Sequence, residues 1–502
     1  MIAPYGEGAA PVIDGGERRR FGVSGSGVHH VVIRGLELIG WRDAGVFNQG
    51  GDAWTIEENT IANGGDDSGP DHGIRVSAHP AGPLLSEIVI RGNTIGRINR
   101  REDDSVTSTG ILVQGVNTAV IRGNEVHTEN TAGIRSILNT GSPDNIGVTI
   151  ESNRVVGSMG GILVHNTDGA RILRNVIQDG KGVGIGVAYS SDDATLAYNL
   201  IQGLRTPSEH LWNGIDINHA SGNGRAFKNT VYGVNRHCFL LDDATGTSDG
   251  WEITQNIFDA SANSGNMLPM GIQGSPERPI RYRSDYNLLL PRQTRGPDLA
   301  SRLPFELPGG GSTSITVRLD PRSPYTISSR ARSGGAGLAK VVIQANNRGP
   351  LSPPYLLAPL ERPNPRVELP ALTIELSDRE WVRREAIFMS EDATAYTITV
   401  QNAGRGTVWF DDFQVFSPAG IVANWNGKAL NLEAYRAQSS QGAHSLQADP
   451  RFVDPASGNF LLQSTSPAIR ASEGRERPRT GESEPDRSQE PLSIGAFEAE
   501  AR

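Results

Sequence analysis

Two aspartates pose the first chemical question. Asp216 stands in Gly214-Ile215-Asp216-Ile217, and Asp242 follows Cys238-Phe239-Leu240-Leu241, with Asp243 next. If both stretches are neighbouring strands with their apolar residues turned inward, the two aspartates project outward from adjacent rows. Rows ~4.8 Å apart and a step of two residues along the strand separate their β-carbons by about 8 Å. Carboxyl groups roughly 6.5–9.5 Å apart leave room for a water between a general acid and a general base, the geometry of inverting glycoside hydrolysis. Asp243 is an alternative partner, and His165 a further acid or base. Gln114, Asn218 and His219 are candidate substrate binders, and Arg75 and Arg135 suit a carboxylate or sulfate on the substrate. Asp66, Asp67, Asp71, His72, Asp103, Asp104 and Glu129 fall in loops before these strands and would form one rim, Asp71 and His72 contacting substrate. No ligand set for a metal is assigned and no cofactor is required. Ca²⁺ would sit on the acidic rim, but no local spacing matches a Ca²⁺ loop.

What must position these residues is a repeat. Asn59, Asn93, Asn124, Asn153, Asn175, Asn199, Asn229 and Asn256 recur 22 to 34 residues apart, each between an alternating apolar run and another apolar pair. Self-similarity at that period marks a solenoid, and period-two alternation makes its units short strands. The sequence predicts a right-handed parallel β-helix with Asn at one bend of every rung, itself in a left-handed backbone and bonded to the Asn above and below. A second strand in each rung reads Gly-apolar-x-apolar, from Gly73-Ile74-Arg75-Val76 to Gly214-Ile215-Asp216-Ile217, with 238–241 as a degenerate last copy. Its x positions give one outward column, Phe47, Arg75, Leu112, Arg135, Leu163, Gly186, Asp216 and Leu240. Two residues on, Gln49, Ser77, Gln114, Ile137, His165, Ala188, Asn218 and Asp242 give the next. Gly186 and Ala188 leave a gap between His165 and Asp216 wide enough for a sugar ring.

Composition agrees. Among 502 residues there are 60 Gly and 30 Pro, with 6% aromatics, which suits thin rungs and many turns. A net charge of −9 argues against a nucleic-acid partner. The single cysteine, Cys238, excludes an internal disulfide and reads as a buried thiol. No apolar run reaches transmembrane length, so no membrane partner is expected. The start has no signal-peptide layout and begins as if inside a rung, so the N-terminus is expected to be truncated from an exported, extracellular or cell-surface protein. A monomer is expected.

The rung pattern stops near residue 290. A linker leads into regularly spaced alternating strands over about 312–417, a β-sandwich. The fold class is therefore all-β, a parallel β-helix solenoid with an inserted antiparallel β-sandwich: solenoid over 1–295, insert over 296–417, and a segment over 418–502 that closes the solenoid, with a mobile stretch at 471–492. In the insert, Tyr325, Trp381 and Trp409 are the aromatics suited to stacking on sugar, with Trp381 assigned to the core.

The solenoid and its ending DPRFVDPASGNFLLQSTSPAI…IGAFE resemble bacterial right-handed parallel β-helix proteins of the pectate-lyase-like superfamily, over roughly 1–290 and 418–500. The insert, with EWVRREAIF and GTVWFDDFQVF, resembles carbohydrate-binding sandwich modules. These resemblances imply a carbohydrate-active protein whose partner is a polysaccharide. The stretch CFLLDDATGTSDG is similar to a rung of β-helix glycosidases, which favours Asp242 and Asp243. Asn166-Thr167-Asp168-Gly169 with Asp192-Asp193 resembles polygalacturonase motifs, but it follows its strand where the family's acids lead into one, so it is set aside. Three readings stay open: a glycoside hydrolase, a uronate-polysaccharide lyase or epimerase with Arg135 or His165 as base, and a non-catalytic adhesin.

Overall fold

The computed structural model describes residues 1–4, 8–65, 70–80, 82–98, 108–128, 131–138, 144–204, 213–234, 236–242, 248–261, 268–274, 279–291, 306–319, 324–335, 337–345, 372–376, 380–389, 395–416, 420–426, 428–469, 471 and 495. They fall into two compact units, one of residues 1–263, 268–290 and 434–502, the other of 264–267 and 291–433.

In the first unit the chain winds through three parallel sheets, visiting each once per turn. One turn runs through Ala44–Gln49 in the first sheet, Trp54–Glu57 in the second and Thr60–Ala62 in the third, then re-enters the first at His72–Ser77. Successive turns pair in register, Phe47 with Arg75, Ile56 with Ile90 and Ile61 with Ile95. The strands are short because only their middle residues need to reach the interior. Ile56, Ile90, Ile121, Ile150 and Ile172 form one inward stack, and Ile61, Ile95, Val126, Val155 and Ile177 another, all fully buried. Each such side chain contributes about 1.5–3 kcal/mol by leaving water. The loops between the third and first sheets vary most in length, so they deliver insertions to one edge of the first sheet.

The first-sheet glycine has a steric cause. A β-carbon on Gly110 would stand 2.5 Å from Val126 and 2.6 Å from the carbonyl oxygen of Gly133. The glycine therefore occupies an inward slot beside the equally inward isoleucine, and strict alternation breaks there. The residue before it then faces outward: a β-carbon on the outward Gly271 would meet the ring of His237, at 2.9 Å. The first sheet also carries a strand the sequence pattern did not reveal, Leu268–Gln273, paired with His237–Asp242.

The asparagine bend forms a continuous buried ladder. In each rung the amide oxygen accepts from the backbone N–H and the Nδ2 of the preceding Asn, while Nδ2 donates to a second-sheet carbonyl of the preceding rung and to the next Asn. For Asn153 and Asn175 these contacts span 2.8–3.1 Å. Asn287 extends the ladder by accepting from Asn256. One expectation is corrected. The left-handed residue is the one before each Asn: Glu58, Gly92, Gly123, Ser152, Arg174, Tyr198, Lys228, Gln255 and Tyr286 all have φ between 51° and 63°. That residue turns the corner, so the Asn that follows is free to aim its amide into the stack.

The second unit contains two antiparallel sheets. One is ordered Glu306–Leu307, Val408–Phe416, Pro324–Ser333, Val382–Met389; the other Ser312–Arg318, Ala395–Asn402, Gly337–Ala345, Leu372–Leu376. A shared core of Ile327, Val341, Ile343, Tyr396, Ile398 and Phe410 makes this a β-sandwich. The aromatic assignments reverse. Tyr325 belongs to the core, whereas Trp381 is half-buried outside it, with the guanidinium of Arg332 5.0 Å from its ring and 5.1 Å from that of Trp409.

Candidate functional site

The first sheet's outer face carries the predicted columns. Cα partners run Phe47, Arg75, Leu112, Arg135, Leu163, Gly186, Asp216, Leu240 and Gly271. Beside them, Gln49, Ser77 and Gln114 align, as do His165 with Ala188 and Asp242 with Gln273. Asp216 is the centre of a hydrogen-bonded cluster. Asn213 Nδ2 donates to its Oδ2 at 2.7 Å and Asn218 Nδ2 to its Oδ1 at 3.0 Å. Each asparagine is held in turn. Asn213 Oδ1 accepts from the His237 backbone N–H at 3.2 Å and lies 3.3 Å from His237 Nδ1, and Asn218 Oδ1 accepts from His219 Nδ1. That bond puts the proton of a neutral His219 on Nδ1 and leaves Nε2 as an acceptor. Burial lowers the pKa of His219, while Asp216 opposes the shift.

A row of rings closes one side. Tyr189 stacks on His219 with centroids 4.3 Å apart, and His165 meets Tyr189 edge-on at 4.9 Å. Tyr189 and His219 both sit just past their strands with φ near 55°, an uncommon conformation for bulky residues that swings the rings to the sheet edge. His165 is pushed down to a pKa of about 3 by burial first, then by Arg135 and His219. Neutral at ordinary pH, it accepts or donates hydrogen bonds without carrying charge.

The other sequence candidates lie elsewhere. Arg135 is three rungs from Asp216 along the column, about 14 Å, and Arg75 five rungs, about 24 Å. Burial lowers the Arg135 pKa to about 10, so it stays a cation. Arg75 donates to Ser77 Oγ at 3.1 Å, and its guanidinium lies 5.5 Å from the Phe47 ring centre. Gln114 accepts from the same Ser77 hydroxyl at 3.0 Å. Asp71 and His72 are not rim residues: they are 2% and 3% exposed, His72 opening a strand and Asp71 lying just before it. Asp66, Asp67, Asp103, Asp104, Glu129, Asp243 and the stretch 472–492 lie outside the described residues, so of the acids expected to hold Ca²⁺ only the buried Asp71 is described. Asp168 and Asp192 accept backbone N–H groups of the turns one rung on, at 3.1 and 2.7 Å, a stacking role. Asn213, Tyr189 and His237 were missed. Asn213 and His237 sit just ahead of the glycine slot, where alternation fails, and Tyr189 lies beyond its strand.

His72 has a pH consequence. Burial first, then Arg75 and Arg135, hold it at about 3, well below the ordinary 6.5. The fold therefore keeps a neutral ring, and the stability this confers is complete above pH 6.5 and lost as the pH falls toward 3. By pH 5 about 2 kcal/mol is gone. In thermal unfolding scans from pH 7 to pH 4, His72→Gln should lose less stability than the parent; equal losses would contradict this.

Comparison with known proteins locates the fold. Residues 21–201 and 109–268 match the family model described as right handed beta helix region. No curated protein matches. Among solved structures, a CBM4 protein is 19% identical over 21% of this chain, with a TM-score of 0.17; the match covers 64% of that protein's length. The tailspike protein gp49 of Acinetobacter baumannii bacteriophage Fri1, a capsular polysaccharide depolymerase, is 10% identical over 77% of this chain and 67% of its own, TM-score 0.28. A variant of the E. coli bacteriophage HK620 tailspike, in complex with a pentasaccharide, is 8% identical over 80% and 71%, TM-score 0.35. The match over residues 21–268 and the parallel register of three sheets together show that the solenoid of this chain is a right-handed parallel β-helix.

Proposed function

We propose that the chain is a glycoside hydrolase acting on a polysaccharide along the outer face of the first sheet, with Asp216 and Asp242 as its acid/base pair. The observation that carries this reading is the double clamp on Asp216, whose two oxygens accept from Asn213 and Asn218. Amide donors on both oxygens suit a carboxylate, which only accepts, so Asp216 is assigned the base that orients water. Asp242 is assigned the acid. It stands one rung on and two residues along, since Asp216 pairs with Leu240. That register corresponds to about 8 Å between β-carbons, within the inverting range.

The substrate would lie over Gly186 and Ala188, which add almost nothing to the surface between His165 and Asp216. The rings of His165, Tyr189 and His219 offer a wall for the apolar face of a sugar. Asn218 and His219 would orient hydroxyls, and Arg135, further along the column, an anionic substituent.

A uronate lyase on the same face is the second reading. It is favoured by one observation, the half-buried cation Arg135 beside the neutral His165. Incubation with neutral and acidic polysaccharides separates the readings. New reducing ends without ultraviolet-absorbing products are expected; both together would mean a lyase, and binding with neither an adhesin.

A further inference from the structure

A second cleft lies on the third sheet, away from Asp216. There Tyr232, Asp259 and Leu290 are partners on three successive rungs of one outward column. The C-terminal hairpin of Phe452–Asp454 and Asn459–Leu462 covers the neighbouring column, its Phe452, Phe460 and Leu462 packing with Leu200, Ile257, Leu288 and Leu290. Between column and hairpin remains a cleft of about 510 Å³, bounded by Tyr232, Asp259, Ser261, Asp449, Arg451 and Gln463, among others. That volume accommodates a single sugar ring.

Asp259 is the anomaly. It is 3% exposed, and its column neighbour Leu290 is the kind of residue an apolar interface uses. Its Oδ1 accepts from Ser261 N–H at 2.8 Å and Ser261 Oγ at 2.5 Å, while Oδ2 accepts no hydrogen bond among the described residues. The cation in the cleft wall, Arg451, is exposed at the mouth and donates to the Thr465 carbonyl. Burial, with Asp449 adding to it, pushes the Asp259 carboxyl up to about 6 against the opposing Ser261 bonds. A buried acid with no countercharge among the described residues costs stability, so a purely structural position would not keep it. Oδ2 is open to a ligand that donates hydrogen bonds, and no group of three metal-binding side chains occurs among the described residues. Tyr232, edge-on to Phe460 at 5.3 Å, adds a half-buried ring and a hydroxyl.

We propose that this cleft is a second carbohydrate site, which takes one unit of a neutral glycan, with Asp259 accepting from its hydroxyls and Tyr232 against its apolar face. The site does not rest on the catalytic role of Asp216. The test is saturation-transfer NMR on the full chain with methyl α-glucoside, methyl α-galactoside, methyl α-mannoside and N-acetylglucosamine, with glycerol as control. At least one glycoside should bind both the parent and Asp216→Asn. Its binding should weaken at least tenfold in Asp259→Asn and Asp259→Leu, with turnover unchanged. Both Asp259 variants should also melt at higher temperature than the parent, the signature of an acid kept for binding at the expense of stability. The proposal is overturned if no glycoside binds the parent, if binding survives in Asp259→Asn, or if that near-isosteric variant melts lower.

Discussion

Asp216→Asn is expected to lower turnover of the polysaccharide substrate about a thousandfold, in the middle of the range for loss of a general base. The melting temperature should fall only slightly, because the new amide accepts from one of Asn213 and Asn218 but not from both. The substitution is nearly isosteric, the residue is half-buried and outward, and the inward neighbours Ile215 and Ile217 are untouched. Substrate binding should persist, because Asn218, His219 and the ring row remain. A thousandfold loss is about 4 kcal/mol of transition-state stabilisation, far more than one altered surface hydrogen bond supplies. Asn213→Ala should fall between parent and Asp216→Asn, because it frees one carboxylate oxygen without removing the base. Full activity in Asp216→Asn would remove Asp216 from the mechanism.

Asn175→Ala is the second large effect, and it acts on stability alone. The Asn175 side chain is fully buried and accepts from the backbone N–H and the Nδ2 of Asn153, at 2.9 and 3.0 Å. It also donates to the Ile150 carbonyl at 2.8 Å. Alanine leaves two N–H hydrogens of Asn153, one on the backbone and one on Nδ2, without an acceptor and takes a donor from the Ile150 carbonyl, in an interior that water does not reach. At about 1–3 kcal/mol for each of the two orphaned hydrogens, the cost is about 2–6 kcal/mol. Urea unfolding should register this as a lower midpoint. A loss under about 1 kcal/mol would mean that the ladder relaxes around the gap and is not a rigid register device.

Much of this fold is legible in the sequence because the β-helix repeats a physical demand rung after rung. Only Asn both donates and accepts in the stack, so it recurs, and only glycine fits between Val126 and the next rung's carbonyl, so it recurs too. What repetition does not encode is harder to read. The left-handed residue before each Asn varies among Glu, Ser, Arg, Tyr, Lys, Gln and Gly, so its conformation is set by the bend and leaves no residue signature. Asn213 and His237 stay hidden because the inward glycine shifts the phase of alternation just where they stand. The Leu268–Gln273 strand is disguised because its Gly271 occupies the outward column and not the glycine slot. Asp216, its column and Asn218 could be drawn from the pattern; the clamp on Asp216 could not, since its other arm, Asn213, stands off that pattern three residues before Asp216. In the sandwich, the irregular register opposite Ser328–Arg330 puts its extra residue in Val408–Phe416, whose inward set passes from Val408 and Phe410 to Phe413 and Val415; Pro324–Ser333 keeps its alternation, with Tyr325, Ile327 and Ala331 in the core and Arg330 and Arg332 outside with Trp381.

The acid/base assignment rests on a separation, and separation dictates stereochemistry. Proton NMR of the first sugar released from a polysaccharide that the protein cleaves, recorded before the anomers equilibrate, reads this directly. Asp216 and Asp242 about 8 Å apart predict a product with inverted anomeric configuration. A product of retained configuration, or one bearing an unsaturated ring, would contradict the assignment.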